Sequence, residues 1–412
     1  MIAQCNGKEG RQLVLATGAL VACFAIFGSV AGMMPAMQER LRLNDVQVGL
    51  VLAMPVLVGS IGRIPVGMLA DRFGGRAVYL VVMSSSLLPA ILFAWANDYW
   101  QVLTCACLAG VPLTLYPVGV AFVSTWYPPH RHGAAIGLLT LGSLGQSITL
   151  FGAPLIVGLL GYQWGFWITA IMLIVCLIAF SVWGENAPPT RLGPTTIAEL
   201  VRPLGQRMTW VLSLFYFLTL GCFLSLSGFL PQFLTGTFHL GKADAGFRAA
   251  GFVTVTTIVR PLGGILADRV GGRRVLLSVF PCIAALSLLL TSPHMVPFTL
   301  GALAISAAVG LGSGATFKLL PQYFPDTVGS VTGIVGAVGA LGGFFPPIAL
   351  GLARTWTGSF APGFFGLTVF ALGCAWICAA LLSPECPRSV NSPMRKVAPL
   401  PITAGRPNSS FG

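Results

Sequence analysis

The sequence is poor in charged residues, and acidic side chains are the scarcest of them. Only 8% of its 412 residues are charged, with 11 Asp and Glu against 23 Lys and Arg, whereas 55% are hydrophobic. The mean hydropathy is +0.86. A soluble domain does not need so much apolar surface, so this composition indicates a chain that crosses a membrane many times. The basic residues form no continuous stripe, which argues against nucleic acid as the partner despite a net charge of +12.

Residues that usually carry out catalysis or bind metals are also scarce. The sequence has four histidines, all at predicted span ends or in loops, and 10 cysteines that mostly stand singly in apolar runs. Neither the spacing of a disulfide framework nor that of a metal site is present. No Ser/His/Asp or Cys/His arrangement is present either. We therefore expect neither an enzyme nor a protein with a cofactor or metal.

Long apolar runs are abundant, and they divide into twelve predicted membrane spans. The predicted spans are 14–37, 46–70, 77–96, 99–126, 133–158, 162–184, 208–234, 249–267, 275–292, 296–323, 327–353 and 360–383. The N-terminus lacks a convincing cleavage site for a signal peptide, so the first run is expected to remain as a helix.

A polar, Pro-containing stretch separates the first six predicted spans from the last six. The fold class we predict is an all-α membrane protein with twelve transmembrane helices in two six-helix halves. The N-terminal half comprises residues 1–184, a cytoplasmic linker 185–207, the C-terminal half 208–383, and a disordered cytoplasmic tail 384–412.

The distribution of basic residues predicts the orientation of the chain. If both ends are cytoplasmic, fifteen Lys and Arg lie in inner segments and five in outer loops. The rule that inner loops are the more positive then favours a multi-pass protein of the cell (inner) membrane with both termini cytoplasmic.

One stretch of the sequence occurs twice, which indicates duplicated halves. The first copy reads GSIGRIPVGMLADRFGGR from Gly59, and the second copy reads RPLGGILADRVGGRR from Arg260, at a constant offset of 197. Arg63 is thereby equivalent to Arg260. Parallel repeats related by an axis along the membrane normal place equivalent positions opposite each other across a central site.

Arg63 and Arg260 are expected near the middle of the membrane. Eight residues separate Arg63 from the charged cluster at the end of its span, and at about 1.5 Å per residue this places it about 12 Å into a hydrocarbon layer of about 30 Å. No Asp or Glu lies well inside any predicted span. We infer that the missing negative charge is a substrate anion, because a planar guanidinium binds a flat oxyanion through two parallel hydrogen bonds. The alternative is a structural arginine that bonds to carbonyl groups or extends to the interface.

The other charged residues near the spans have less certain roles. Lys318, in the tenth predicted span, has Ala121 at its duplicate position. It either lines an inner vestibule and takes part in coupling or ties its span to neighbouring carbonyl groups. The charged cluster after each arginine is predicted to form an ion-pair latch that holds one conformation, without touching substrate. The latch residues are Asp71, Arg72, Arg76, Asp268, Arg269 and Arg273.

Small and aromatic residues are candidates for the walls of the site. The duplication pairs Gly142 with Gly339 and Gly145 with Gly342. These glycines either pack helices closely or leave room for a small ligand beside the backbone. The pair Pro346 and Pro347 predicts a bend. The aromatic candidates are Tyr116, Tyr216 and Phe223.

The motifs GMLADRFGGR and GGILADRVGGR resemble the loop signature of the major facilitator superfamily. More narrowly, RIPVGMLADRFGG, GLLTLGSLG, FKLLPQYFP and VTGIVGAVGALGGFFPP resemble the nitrate/nitrite porter family within it. The resemblance implies a carrier of nitrate, nitrite or both by alternating access, with the anion bound by Arg63 and Arg260. It also implies that glycines of spans 5 and 11 and two tyrosines line the pathway, namely Gly142, Gly145, Gly339, Gly342, Tyr116 and Tyr216.

Two positions depart from the family pattern. Ser143 stands where many relatives have asparagine, and Leu220 stands where relatives with a narrow slot have phenylalanine. Ser143 remains a candidate contact to the substrate. Other substrates remain open, including cyanate and small carboxylates. Two other functions also remain open: a sensor that does not transport, and drug efflux, although the acidic cavity residue that efflux would prefer is absent. The expected partners are a small inorganic anion and the lipid bilayer, and the carrier is expected to be a monomer that favours exchange.

Overall fold

The computed structural model is almost entirely helical and describes residues 7–127, 132–186, 202–324 and 328–382. Twelve helical segments are long and apolar enough to cross a membrane, which confirms the predicted fold class. We number them spans 1 to 12. Within the described residues, nine spans are single helices, which are Gly7–Leu41, Asp45–Phe73, Gly75–Trp95, Tyr162–Trp183, Arg207–Phe238, Lys242–Val270, Gly272–Leu289, Met295–Tyr323 and Ala361–Leu381, for spans 1, 2, 3, 6, 7, 8, 9, 10 and 12.

The other three spans each contain two α-helices, and in spans 4 and 5 a short 3₁₀ helix joins them, Val111–Thr114 and Leu141–Ser143. Span 4 comprises Tyr99–Leu108 and Leu115–Trp126, span 5 comprises His132–Thr140 and Leu144–Leu160, and span 11 comprises Val328–Leu341 and Phe345–Thr357. In span 11 the bend predicted at the proline pair is confirmed, because residues 342–344 form a turn and the second helix begins with its prolines in the first turn. Proline is tolerated there because the first backbone N–H groups of a helix have no partner within the helix.

Several helices extend beyond the predicted boundaries. Span 1 was predicted at 14–37 but runs from Gly7 to Leu41, and span 8 was predicted at 249–267 but runs from Lys242 to Val270. Hydropathy detects only the apolar part of a helix, which ends at the surface of the hydrocarbon layer. Helical hydrogen bonding continues into the polar residues beyond, because each turn satisfies its own backbone groups in water as well as in lipid.

The predicted linker and tail lie largely outside the described residues. Glu185, the first linker residue, accepts hydrogen bonds from Lys8 Nζ at 3.3 Å and from Arg11 at 2.5 Å, both at the start of span 1. The hydrogen bond from Lys8 and the positive charges of both residues lower the pKa of Glu185 below its ordinary value. This contact connects the beginning and the end of the N-terminal half.

The two halves repeat the same packing. In the N-terminal half span 1 packs on span 5, span 2 on span 4, and span 3 on span 6. In the C-terminal half the corresponding pairs are spans 7 and 11, spans 8 and 10, and spans 9 and 12. Each half is therefore a six-helix bundle of the same design, as the repeated sequence motif indicates.

Glycine ends the two arginine-bearing spans at equivalent points. Gly74 has φ 82° after span 2 and Gly271 has φ 94° after span 8, a region that L side chains avoid. Just beyond these turns, Arg76 donates to the carbonyl of Ser181 at 2.7 Å and Arg273 to the carbonyl of Ala379 at 3.2 Å. Both arginines thus cap the last turn of the neighbouring helix, where carbonyl groups lack partners.

The halves meet along three seams, between spans 1 and 7, spans 2 and 11, and spans 5 and 8. Among the described residues, the ion pairs that cross between halves lie at one face of the bundle. Arg354 pairs with Asp45 at 3.3 Å and Lys242 pairs with Glu39 at 2.7 Å. This face lies opposite the end where span 1 begins, because span 1 ends and span 2 begins there. We call it the far face.

Candidate functional site

Arg63 and Arg260 lie in the interior of the bundle, on spans 2 and 8. Their exposed fractions are only 7% and 8%. The two guanidinium groups are close enough to repel each other, and both interact electrostatically with the hydroxyl groups of Tyr116 and Tyr216. The structure therefore brings together the two arginines and all three aromatic residues that the sequence singled out, since Phe223 lies against Arg260. They form a buried cationic centre between the halves.

Glycines of spans 4 and 10 hold the arginine-bearing helices in place. A Cβ added to Gly314 would lie 2.2 Å from the carbonyl oxygen of Arg260, and one added to Gly310 would lie 2.8 Å from that of Thr256. In the other half, Gly59 and Gly110 make the same close approach, since a Cβ on Gly59 would lie 2.9 Å from the carbonyl of Gly110. Close backbone packing of this kind, which needs small residues, fixes each arginine at its depth in the bundle.

Arg63 forms a hydrogen bond across the seam between the halves. Its Nη1 donates to the carbonyl oxygen of Gly336 in span 11 at 2.6 Å. Its Nε is buried and has no hydrogen-bond partner among the described residues. The Arg63 side chain therefore keeps one unpaired donor at the centre while it bonds to the opposite half.

Arg260 has a different set of neighbours. Its guanidinium carbon lies 5.1 Å from the centre of the Phe223 ring, a cation–π distance, and its charge acts on the hydroxyl of Tyr116. Two buried nitrogens of Arg260, Nε and Nη2, have no hydrogen-bond partner within the part of the chain that the structure describes. A buried cation with unpaired donors is costly and is found where a ligand or ion completes the site.

Tyr216 is positioned by a glycine and a phenylalanine. Its ring meets Phe317 edge to face at a centroid distance of 4.7 Å. A Cβ on Gly339 would lie 2.3 Å from a ring carbon of Tyr216, so only glycine leaves room for this ring. Gly339 therefore acts on the centre through the position of Tyr216.

The other three candidate glycines pack against helices. A Cβ on Gly142 would meet the side chain of Leu20 at 2.4 Å, and a Cβ on Gly145 would lie 1.9 Å from the carbonyl of Val21. In the second half, a Cβ on Gly342 would lie 2.1 Å from the carbonyl of Phe217. The contacts of these three glycines are therefore contacts between helices, in which spans 5 and 11 approach the backbones of spans 1 and 7.

Ser143 belongs to a row of hydroxyl groups along the seam between spans 5 and 8. Its Oγ lies 2.9 Å from Thr257 Oγ1, one turn before Arg260, and Thr254 donates to Ser147 Oγ at 3.1 Å. Ser147 also donates to the carbonyl of Ala250 at 3.3 Å. We call Ser143, Ser147, Thr254 and Thr257 the hydroxyl ladder. It connects the halves next to the cationic centre.

The charged clusters differ from the predicted latch. Asp268 forms an ion pair with Lys318 of span 10, instead of with Arg269 or Arg273 of its own cluster. Neither predicted role of Lys318 included this partner. The reason is geometric, because spans 8 and 10 pack closely and bring the two side chains together at the same end of the bundle.

In the N-terminal cluster, Arg72 lies over the ring of Phe73 at 5.3 Å, and Arg76 caps span 6. The side chain of Asp71 lies outside the described residues. A latch that holds one conformation therefore remains a prediction for both clusters.

Three contacts near the cationic centre were not predicted from the sequence. The carbonyl of Gly336 carries no signal in the sequence, since any residue has one. Thr257 could have been found from its position one turn before Arg260, and the glycines of span 10 from the motif GLGSGA. Among the described residues, no group of three or more His, Cys, Asp or Glu side chains is placed to hold a metal ion.

Twelve spans in two similar halves, with a buried cationic centre between them, define a membrane carrier. The model of the Major Facilitator Superfamily matches residues 15–347 and 212–408. The "Nitrite extrusion protein" of Bacillus subtilis is 34% identical over 366 residues, which cover 89% of this chain and 92% of that protein. The "Probable nitrate transporter NarT" of Staphylococcus epidermidis is 33% identical over 371 residues, 89% of this chain and 95% of that protein. The chain belongs to the nitrate/nitrite porter family of the major facilitator superfamily, which consists of carriers and not enzymes.

A solved structure agrees with the fold. A bacterial homologue of the human lysosomal transporter Spinster, in an inward-facing and unoccupied conformation, superposes with a TM-score of 0.73. The match covers 91% of this chain and 97% of that chain at 16% sequence identity. The likeness concerns the twelve-span architecture.

Proposed function

We propose that this protein transports nitrate, nitrite or both by alternating access, with the anion bound between Arg63 and Arg260. The observation that carries this proposal is the set of buried, unpartnered guanidinium nitrogens at the interface of the halves. Among the described residues neither arginine has an acidic partner. A small anion would supply the compensating charge and the missing acceptors together.

The chemistry of the centre suits a flat, weakly hydrated oxyanion. Guanidinium donors lie in one plane and match two oxygens of a planar anion, whereas an ammonium group offers only a point charge. The rings of Phe223 and Tyr216 border the centre on the C-terminal side and exclude water, which strengthens each ionic hydrogen bond. Nitrate fits these requirements better than a strongly hydrated anion does.

The contacts between the halves support alternating access. The ion pairs Asp45–Arg354 and Glu39–Lys242 join the halves at the far face, so the structure corresponds to a state closed on that side. The excess of basic residues favours a cytoplasmic location for the opposite face. We infer an inner-membrane protein with both termini inside, for which this state is open toward the cytoplasm. To open outward, the carrier separates these pairs and closes the other face.

Charge repulsion at the centre favours exchange of one anion for another. Two neighbouring cations repel each other in a medium of low dielectric constant, and a bound anion removes that repulsion. The halves therefore move together more readily with an anion bound than without one. This favours exchange of nitrate for nitrite without a mid-membrane carboxylate for proton coupling.

Flux measurements on purified protein test the proposal. Liposomes that contain the full chain are assayed for nitrate uptake with and without internal nitrite, and with an imposed pH gradient. We expect uptake that internal nitrite stimulates. Cyanate and small carboxylates are added as competitors, and binding of nitrate without any flux would mean a sensor and would refute the proposal.

The substitution Arg63→Lys tests the role of the arginine pair. It keeps the charge but removes the planar fork, so transport is expected to fall by at least about tenfold. Arg274→Lys, at an exposed position of span 9, is the matched control and leaves uptake unchanged. Near-normal uptake by Arg63→Lys would remove the arginine pair from the mechanism.

A further inference from the structure

An apolar crevice lies between spans 7, 8 and 10, close to the far face of the bundle. Its volume is about 260 Å³. Leu230 and Leu234 of span 7 form its inner wall and are almost fully buried. Phe247 of span 8 and Leu303 of span 10 also line the crevice, and each is 38% exposed. The mouth of the crevice therefore lies between spans 8 and 10.

This mouth faces the hydrocarbon of the membrane. On span 10 it continues a stripe of exposed apolar side chains that includes Val296 and Leu300. Leu303 lies eight residues after the start of span 10 at Met295, which is about 12 Å along the helix. Exposed apolar side chains at that depth lie against acyl chains, because the hydrocarbon layer is about 30 Å thick.

The crevice exists because spans 8 and 10 pack closely at one level and leave a gap at the next. A Cβ added to Gly310 of span 10 would lie only 2.8 Å from the carbonyl oxygen of Thr256 in span 8. Gly251 is five residues nearer the far face on span 8, and a Cβ added there would meet no atom within 4 Å. The two helices thus touch at Thr256 and leave space at Gly251.

An apolar gap that opens into a membrane is suited to an acyl chain. Water does not fill such a gap, because the gap offers no polar partners. If it stays empty, the side chains around it lose dispersion contacts. An apolar cavity of about 150 Å³ already accepts a benzene molecule, so the larger crevice has room for a segment of acyl chain.

An ion pair lies at the end of the crevice nearest the far face. Arg248 Nε donates to Asp244 Oδ1 at 3.0 Å, and Arg248 Nη1 donates to Thr299 Oγ1 at 2.9 Å. Arg248 Nη2 makes no hydrogen bond to any of the described residues. The Arg248 and Asp244 side chains remain 29% and 46% exposed. The mouth therefore offers both a cationic donor and an anionic acceptor to a head group.

We propose that this crevice binds a phospholipid with an ethanolamine head group. An acyl chain lies between spans 8 and 10, the phosphate accepts hydrogen bonds from Arg248, and the ammonium group donates to Asp244. A head group with only a negative charge would be repelled by Asp244. A trimethylated ammonium group has no N–H to donate to it. The site is separate from the cationic centre and does not depend on which anion is transported.

Native mass spectrometry of the purified full chain tests the site, because it counts protein chains and bound lipids together. Delipidated protein is titrated with phosphatidylethanolamine, phosphatidylglycerol and phosphatidylcholine that carry the same acyl chains. We expect phosphatidylethanolamine to bind most tightly, and to raise the Tm. Gly251→Leu fills the crevice and should weaken this binding by at least about tenfold, because it displaces several methylene groups of the lipid.

Gly373→Leu is the matched control for the crevice. It adds the same side chain at an exposed position of span 12, where a Cβ meets no atom within 4 Å, and should leave lipid binding unchanged. Arg248→Gln should weaken binding of phosphatidylethanolamine by at least about tenfold, because charge-assisted hydrogen bonds to the phosphate are lost. Asp244→Asn should abolish the preference for phosphatidylethanolamine over phosphatidylglycerol.

Three results would overturn the proposal. Equal lipid binding by Gly251→Leu and Gly373→Leu would exclude the crevice as the site. Binding of phosphatidylglycerol as tight as that of phosphatidylethanolamine by the unaltered protein would contradict the role of Asp244. A mass of two protein chains without lipid would mean that a second copy covers this face. If Gly251→Leu does not fold, Arg248→Gln decides the question, and unchanged lipid binding by that variant refutes the proposal.

Discussion

Two adjacent glycines in span 8 permit a sharp test of how Arg260 is positioned. Gly263 and Gly264 lie about one turn after Arg260. A Cβ on Gly263 would lie 2.3 Å from the carbonyl oxygen of Leu311 in span 10, whereas a Cβ on Gly264 would meet nothing closer than the carbonyl of Gly314 at 4.0 Å. The same chemical change, glycine to alanine, is therefore a clash at one position and harmless at the next.

The size of the effect follows from the geometry. A carbon and a carbonyl oxygen approach to about 3.3 Å, so Gly263→Ala forces spans 8 and 10 apart by about 1 Å next to Arg260. Overpacking of this kind costs about 1–3 kcal/mol of stability. A displacement of about 1 Å at a reacting or binding group can reduce activity about a hundredfold. Gly264→Ala should instead gain up to about 1 kcal/mol in helix propensity.

Two measurements compare the Gly263→Ala and Gly264→Ala variants. They are nitrate uptake per folded molecule in liposomes and the Tm of the detergent-solubilised protein. We expect Gly263→Ala to lower the Tm and reduce uptake about a hundredfold, and Gly264→Ala to keep normal uptake with an equal or slightly higher Tm. Equal uptake by the two variants would refute the argument, because it would show that close packing of spans 8 and 10 does not position the arginine.

Three further predictions concern the neighbourhood of the site and the end of the N-terminal half. Gly339→Ala should displace the ring of Tyr216, with a Cβ only 2.3 Å away, and impair nitrate uptake, whereas Gly336→Ala has no atom within 4 Å of its Cβ and should transport normally; similar uptake by both would exclude the ring contact. Leu220→Phe should change the ranking of nitrate, nitrite and cyanate in competition assays, and an unaltered ranking would show that this buried position does not shape the slot. Glu185→Gln should lower the Tm at neutral pH, because the lowered pKa of Glu185 means that its two cationic contacts stabilise the protein above the ordinary glutamate pKa of about 4.3. That contribution is lost as the pH falls through the lowered pKa, so thermal melts of variant and unaltered protein should converge in strong acid, and a constant difference would contradict the assignment.

Features of the fold that depend on hydropathy and repetition could be predicted from the sequence. The twelve spans follow from apolar runs, and the meeting of Arg63 with Arg260 follows from their equivalent places in a duplicated chain. The break in span 11 follows from its proline pair. In each case a local property of the chain determines the feature.

Features that depend on packing between distant spans could not be predicted. Lys318 pairs with Asp268 because spans 8 and 10 lie together, a relation that no spacing in the sequence reveals. The partner of Arg63 is a backbone carbonyl, which every residue possesses. The candidate glycines were recognised as small residues, but only the structure shows that Gly145 accommodates the backbone of span 1.

The hydroxyl ladder would allow the contact between spans 5 and 8 to form again if one of these helices moved along the other. Each rung joins two hydroxyl groups, as Ser143 with Thr257 and Ser147 with Thr254, and a hydroxyl both donates and accepts. After a displacement of about one helical turn, or about 5.4 Å, Ser147 would face Thr257 and could bond to it equally well. A rung made of a lysine and a carboxylate would lose its partner in such a step. A displacement of one turn would replace the two present rungs by the single pair Ser147 and Thr257, so this seam would keep a hydrogen bond between the halves in the displaced position.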